Sequence, residues 1–422
     1  MFRLTLISIF LFASQMFAQS YHQGPPHLDL ETTSAEYQAL LREQPAVTDL
    51  QESPEATDSE DISLNQWLTL GQRNLQWVDL VNQHRTPETK VSLSSPATQG
   101  GYPVSTPSTY NFNIINEKWQ ILQALLPAPL KKVIFEGAPL TADVPVTDRE
   151  FIEWLAQVDR AYQISARYKL MKPWKEELTR RAKYDVRGYL QIKTDAQVDQ
   201  KLNQWASLSA GQRAQLSTSL SQICWKLNSP NDCDRELTTA INNRTLVAFK
   251  NKYMPASQDH YESYFKIQAR RPDVVWSSAN PNLFQIPFTN PHNETVLNYL
   301  KFNIQDEWKW NDWHLQLNFV ESNSSETTHV VFVPGSTPHV DGIAGSEITM
   351  DANAPLSEYD VQWTIRHEYG HVLGYVDCYL EFYDTSAEAY VSYQLDVTNL
   401  MCSRRGHLKQ VHFDELKRTY FK

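Results

Sequence analysis

His367-Glu368-Tyr369-Gly370-His371-Val372-Leu373-Gly374-Tyr375-Val376-Asp377 decides what the C-terminal third of this 422-residue chain is. A helix is predicted to start near Ser357, behind Pro355, and to run through it. Residues four apart on a helix stand one above the other, so His367 and His371 face the same point. A zinc ion about 2.0–2.1 Å from each nitrogen fits between them. Glu368 lies about 100° further round the helix, which suits a base acting on water better than a third ligand. Gly374 can take the left-handed turn that ends the helix, and Asp377 follows as a hard oxygen ligand. His-Glu-x-x-His alone arises by chance in about one chain of this length in a hundred; the added Gly and Asp lower that a few hundred-fold.

The string resembles the zinc signature of the metzincin metallopeptidases, in the Asp-ligand form of the snapalysin-type enzymes. Metzincins also carry a methionine turn beneath the metal, and Thr398-Asn399-Leu400-Met401-Cys402 resembles it. The resemblance implies Zn2+ held by His367, His371 and Asp377, Glu368 as general base and Met401 as a structural floor. It implies an α+β catalytic domain, a twisted mixed sheet plus the active-site helix, with peptide added as a strand along a sheet edge. That edge is expected at 342–345 or 347–350. Asp377 stands where most metzincins have His, so bound water should be less acidic and Glu368 carry more of the work. A Cys378–Cys402 disulfide would fix the third ligand against the floor; ligation by Cys378 is the competing reading. The match covers about 290–422, and residues 21–280 resemble no family.

Working outward, Val296, Leu300, Ile304 and Trp308 mark a helix, and Trp313–Val320 and His329–Val333 two strands. A third strand is expected at 347–350. These elements define a domain over 285–422. Residues 109–284 read as mainly helical, a propeptide or an accessory domain. Thr147/Glu150 and Ser209/Gln212 form capping-box signals there. A short helix is expected around Leu64, Trp67, Leu68, Leu70, Leu75 and Trp77, inside an otherwise largely disordered 21–108. Tyr375 and Tyr383 are near enough to assist an oxyanion but are expected to pack. His407 and His412 are expected at the surface.

Residues 1–20 read as a secretory signal peptide: Arg3, an apolar run over 4–13, and cleavage after Ala18 or Ser20. No later run is long and apolar enough for a membrane anchor. Residues 29–61 hold ten acids against Arg42 alone, so most of the net charge of -11 is local. That balance argues against a nucleic-acid partner. An exported chain should oxidise its four cysteines, and local pairing, Cys224 with Cys233 and Cys378 with Cys402, is the simplest of three connectivities. Free buried thiols are the other reading. Cys233, if unpaired, could silence the zinc as a cysteine switch. Asn243, Asn293 and Asn323 open glycosylation sequons that matter only in a eukaryotic secretory route.

The expected activity is a secreted or periplasmic zinc-dependent endopeptidase acting on peptide or protein substrates. It would use zinc-bound water with Glu368 as base. The alternatives are a zinc hydrolase of a non-peptide amide and a binding protein with a structural metal site.

Overall fold

A computed structural model describes residues 25, 26, 28, 30–43, 58–93, 104–321 and 327–422. The expected signal peptide with its cleavage site, and Asn323, lie outside the described residues. The chain is mixed α+β, with helices dominating its N-terminal part and strands its C-terminal part. It divides into two units. One holds residues 32–94 and 110–178; the other holds 179–422 together with 29–31 and 95–109.

The first unit is helical. Its longest element, Asp58–Gln83, is far longer than the short helix expected, because Asn74, Trp77, Val78 and Val81 extend the buried face past Leu64 and Trp67. The helix Asp148–Met171 starts at the predicted capping box of Thr147 and Glu150. Trp77 meets Phe151 edge to face, and Trp119 donates its indole N–H to Ser165 Oγ at 2.9 Å. The expectation of a largely disordered 21–108 needs correcting on both sides of 44–57, which lie outside the described residues. Ser34–Glu43 is a helix whose Ser34 hydroxyl donates to buried Asp159, while Arg167 donates to Tyr37 Oη at 3.1 Å. Acidic composition hid this because a few buried contacts, rather than the average residue, hold the segment.

The second unit begins about a hundred residues earlier than the expected boundary at 285. Helices from Arg187–Thr194 to Leu246–Ser263 enclose their own core around Leu220, Ile223, Phe249 and Tyr253. Val186, Ile267, Val274 and Trp276 belong to the core of the strand-rich region itself. Tyr393 donates its hydroxyl to Asp185 at 2.7 Å and accepts from the Val186 amide. The interface is therefore covalently upstream of 285 but physically part of the same core.

The strands are β1 (Ser108–Tyr110), β2 (Leu283–Thr289), β3 (Lys309–Trp310), β4 (Trp313–Val320), β5 (His329–Val333), β6 (His339–Val340), β7 (Glu347–Asp351), β8 (Tyr379–Asp384) and β9 (Ala389–Gln394). They form three small sheets ordered β2-β4-β3, β5-β7-β6 and β1-β9-β8. β2 runs parallel to β4, and β7 is parallel to β5 but antiparallel to β6. A parallel bridge between Phe288 and Thr328 brings the first two sheets edge to edge. β4 buries Trp313, Leu315 and Leu317 and exposes His314, Gln316 and Asn318, the alternation a half-buried strand requires. Pro287, which has no N–H to donate, is tolerated because β2 pairs fully on one side only. The expected helix through Trp308 is α-helical over Glu294–Leu300 and widens to a π turn over Lys301–Gln305.

Candidate metal centre

The helix Tyr359–Val372 turns Ile365, Tyr369 and Val372 into the core and carries His367 and His371 along its other side. Two glycines let it approach its neighbours. A methyl group on Gly370 would stand 2.2 Å from Met401 Sδ, so the thioether lies directly against the helix backbone. Gly374 ends the helix with φ at +94°, and a methyl group there would meet the Ala269 carbonyl oxygen. Only glycine fits this turn, on conformation and on space together. The turn delivers Asp377.

His367 Nε2 lies 3.1 Å from Asp377 Oδ1 and 3.2 Å from His371 Nε2, and the third side of the triangle, His371 Nε2 to Asp377 Oδ1, is 3.3 Å. A tetrahedral zinc with bonds of about 2.0–2.1 Å separates its ligand atoms by about 3.3 Å, so the triangle has the size of one tetrahedral face. Each imidazole is oriented from behind. Leu400 O stands 2.8 Å from His367 Nδ1, and Tyr375 O stands 3.0 Å from His371 Nδ1. A carbonyl only accepts, so both Nδ1 atoms carry the proton and both Nε2 lone pairs point at one another and at a carboxylate. Either a proton shared with Asp377 or a bound cation satisfies that arrangement. Among the described residues these three are the one group with metal-binding spacing, and the donor set of two imidazoles and one carboxylate fits zinc.

The electrostatics agree. Burial pushes Asp377 up, but the two facing imidazoles outweigh it and hold the carboxyl well below its usual range. Burial pushes His371 down, but Asp377 outweighs it and raises the imidazole to about 9. His367 is raised too, its desolvation outweighed chiefly by the hydrogen bond to Asp377. Glu368 is buried beside them, and its negative charge helps raise both imidazoles.

Both local cysteine pairs are disulfides, Cys224–Cys233 and Cys378–Cys402, and no described cysteine is free. The pairing removes Cys233 as a switch and Cys378 as a ligand. Cys378 also donates its N–H to Met401 O at 3.0 Å, so the segment after Asp377 is tied to the methionine turn twice.

Four expectations about single residues resolve here. Tyr375 and Tyr383 pack, and Tyr375 donates its hydroxyl to His412 O at 2.6 Å. His407 is exposed, as expected. His412 is not. It is buried against Trp308 and Tyr375, burial pushing it down to about 4, and its Nε2 donates to Asn399 Oδ1 at 2.9 Å. The same Asn399 oxygen accepts from Met401 N at 2.8 Å, which shapes the turn presenting Leu400 O to His367. Asn399, inside the quoted turn string, and His412 thus shape the site through contacts that motif spacing did not reveal. Asparagine two residues before Met401 is the sequence signal of such a side-chain-to-backbone turn. The strand over 347–350 is no edge: β7 is the middle strand of its sheet, and β6 is the end strand. From β6 the chain enters 341–345, where Ala344 donates its N–H to His371 O at 2.8 Å.

The chain matches no protein-family model, no curated protein and no solved structure.

Proposed function

We propose that this protein is an exported zinc-dependent endopeptidase of the metzincin type, with His367, His371 and Asp377 as metal ligands and Glu368 as general base. One observation carries the proposal: three ligand atoms converge beside a buried carboxylate, that of Glu368, whose charge acts on both histidines. A metal that only stapled the fold would need the ligands and no such carboxylate. When bound, zinc would polarise a scissile carbonyl and make water more acidic. Glu368 takes the proton from the attacking water and hands it to the leaving amine, which returns the carboxylate to its starting state. Leu400 O and Tyr375 O keep both imidazoles in the tautomer that offers Nε2, so no ring must flip during the reaction. A peptide pairs with the end strand β6, His339–Val340, next to the loop that holds His371 O.

The two disulfides suit an oxidising compartment and support export. None of the described helices is long and apolar enough to cross a membrane.

The test is cleavage of a peptide library by the purified protein, before and after limited proteolysis, beside Glu368→Ala. Zinc-dependent cleavage that the variant loses supports the reading. Stoichiometric zinc with no cleaved peptide in any form would overturn it in favour of a non-peptide amide or a structural metal.

A further inference from the structure

Glu31 stands in the acidic N-terminal segment, yet it groups with the unit that holds the metal centre and is buried there. Its Oε1 accepts from Ser403 Oγ at 2.9 Å and its Oε2 from the Arg404 backbone N–H at 2.6 Å. Both donors belong to the loop that follows Met401. The loop is closed at its base, where Leu400 N donates to His407 O and His407 N to Thr398 O. Its near end is shaped by Asn399 and presents Leu400 O to His367 Nδ1. Its far end is held by Glu31, and Ser403 Oγ passes the hold on by accepting from Arg405 N at 3.2 Å. A buried carboxylate spanning two donors in one loop fixes that loop's position more firmly than a neutral contact does.

We propose that Glu31 is a positioning residue of the metal centre: by clamping the loop over 400–404 it holds the carbonyl that orients His367. The inference rests on the metal-site reading above and adds a residue more than 330 positions away in the chain. It also bears on maturation. A cut that discarded everything up to residue 178 would discard Glu31 too, and the metal would be held more weakly afterwards.

The test is zinc affinity of the full chain, measured by competition with a chromogenic chelator, for the unaltered protein, Glu31→Ala, Glu31→Gln and Ser403→Ala. Partners that orient metal-bound histidines are worth about 10–100-fold in affinity, and Glu31 acts one contact further out, so Glu31→Ala should weaken zinc about 10-fold. Glu31→Gln should restore most of it, because the amide oxygen can accept from Arg404 N while the NH2 donates to Ser403 Oγ. Ser403→Ala removes one donor and should give a smaller loss; it also serves if Glu31→Ala fails to fold. A residue that merely braces the fold would lower the unfolding midpoint of the zinc-free chain and leave affinity untouched. That result, or Glu31→Ala binding as tightly as the unaltered chain, overturns the inference alone. An unaltered chain that binds no zinc overturns the metal reading and this inference together.

Discussion

Asp377 and Asp159 are both buried aspartates that accept hydrogen bonds, one in each unit, and their surroundings move them in opposite directions. Asp159 accepts from the Ser34 hydroxyl and the Gln163 amide and feels the charge of Arg160, but burial outweighs all three and pushes its carboxyl up to about 6. Asp377 meets two imidazoles within 3.3 Å, and their charge reverses the effect of burial. Dipoles satisfy a carboxylate; only a cation keeps it ionised in a low-dielectric site. The contrast separates a polar anchor between helices from a site built around positive charge.

The largest effect that would sharpen this contrast lies at the group beside Asp377. Glu368→Gln should lower kcat/KM for peptide hydrolysis by about 10²–10⁴-fold while zinc stays bound, since only the base is lost. Steady-state kinetics with metal analysis checks both halves. Next, Asp377→Asn should weaken zinc by more than about 100-fold, exceeding the loss of an outer partner, whereas Asp159→Asn should leave zinc binding unchanged. Equal effects of the two substitutions would break the comparison.

The third expectation concerns stability. Asp159 binds its proton more tightly in the folded than in the unfolded state. Its contribution is therefore full below pH 3.8 and lost as pH rises through about 6. At pH 7 Asp159→Asn should be the more stable protein, by up to about 3 kcal/mol, with the difference closing towards pH 4. Urea unfolding of both forms at the two pH values reads it directly. The smallest effect is geometric. Gly370→Ala would drive a methyl group against Met401, which should cost about 1–3 kcal/mol, and a thermal melt would show it without any change of charge at the site.

The parts legible in sequence share one property: each is decided by residues within about a dozen positions. The Cys224–Cys233 disulfide, both capping boxes and strands β4, β5 and β7 are of this kind, as is the spacing that brings His367, His371 and Asp377 together as a group that could hold a metal; the Cys378–Cys402 pair, 24 positions apart, is the exception. What sequence reading missed is decided by partners far away. Asn399 matters because His412 reaches it from a helix packed on Trp308, and the helix Ser34–Glu43 is held by Asp159 and Arg167. Composition marked that region as acidic and polar, which it is, but a mean hides two or three buried contacts. The expected boundary at 285 divides residues that pack together, since Trp276 before it packs on Trp313, Phe413 and Phe421 after it.

That packing sets a limit on modularity. A chain begun at 285 would lose Arg271, whose guanidinium is paired with Asp273 and donates to Gly345 O at 2.6 Å, and would strip Ala269 from the turn at Gly374. A break at 285 would thus cut through the wall of the candidate metal centre.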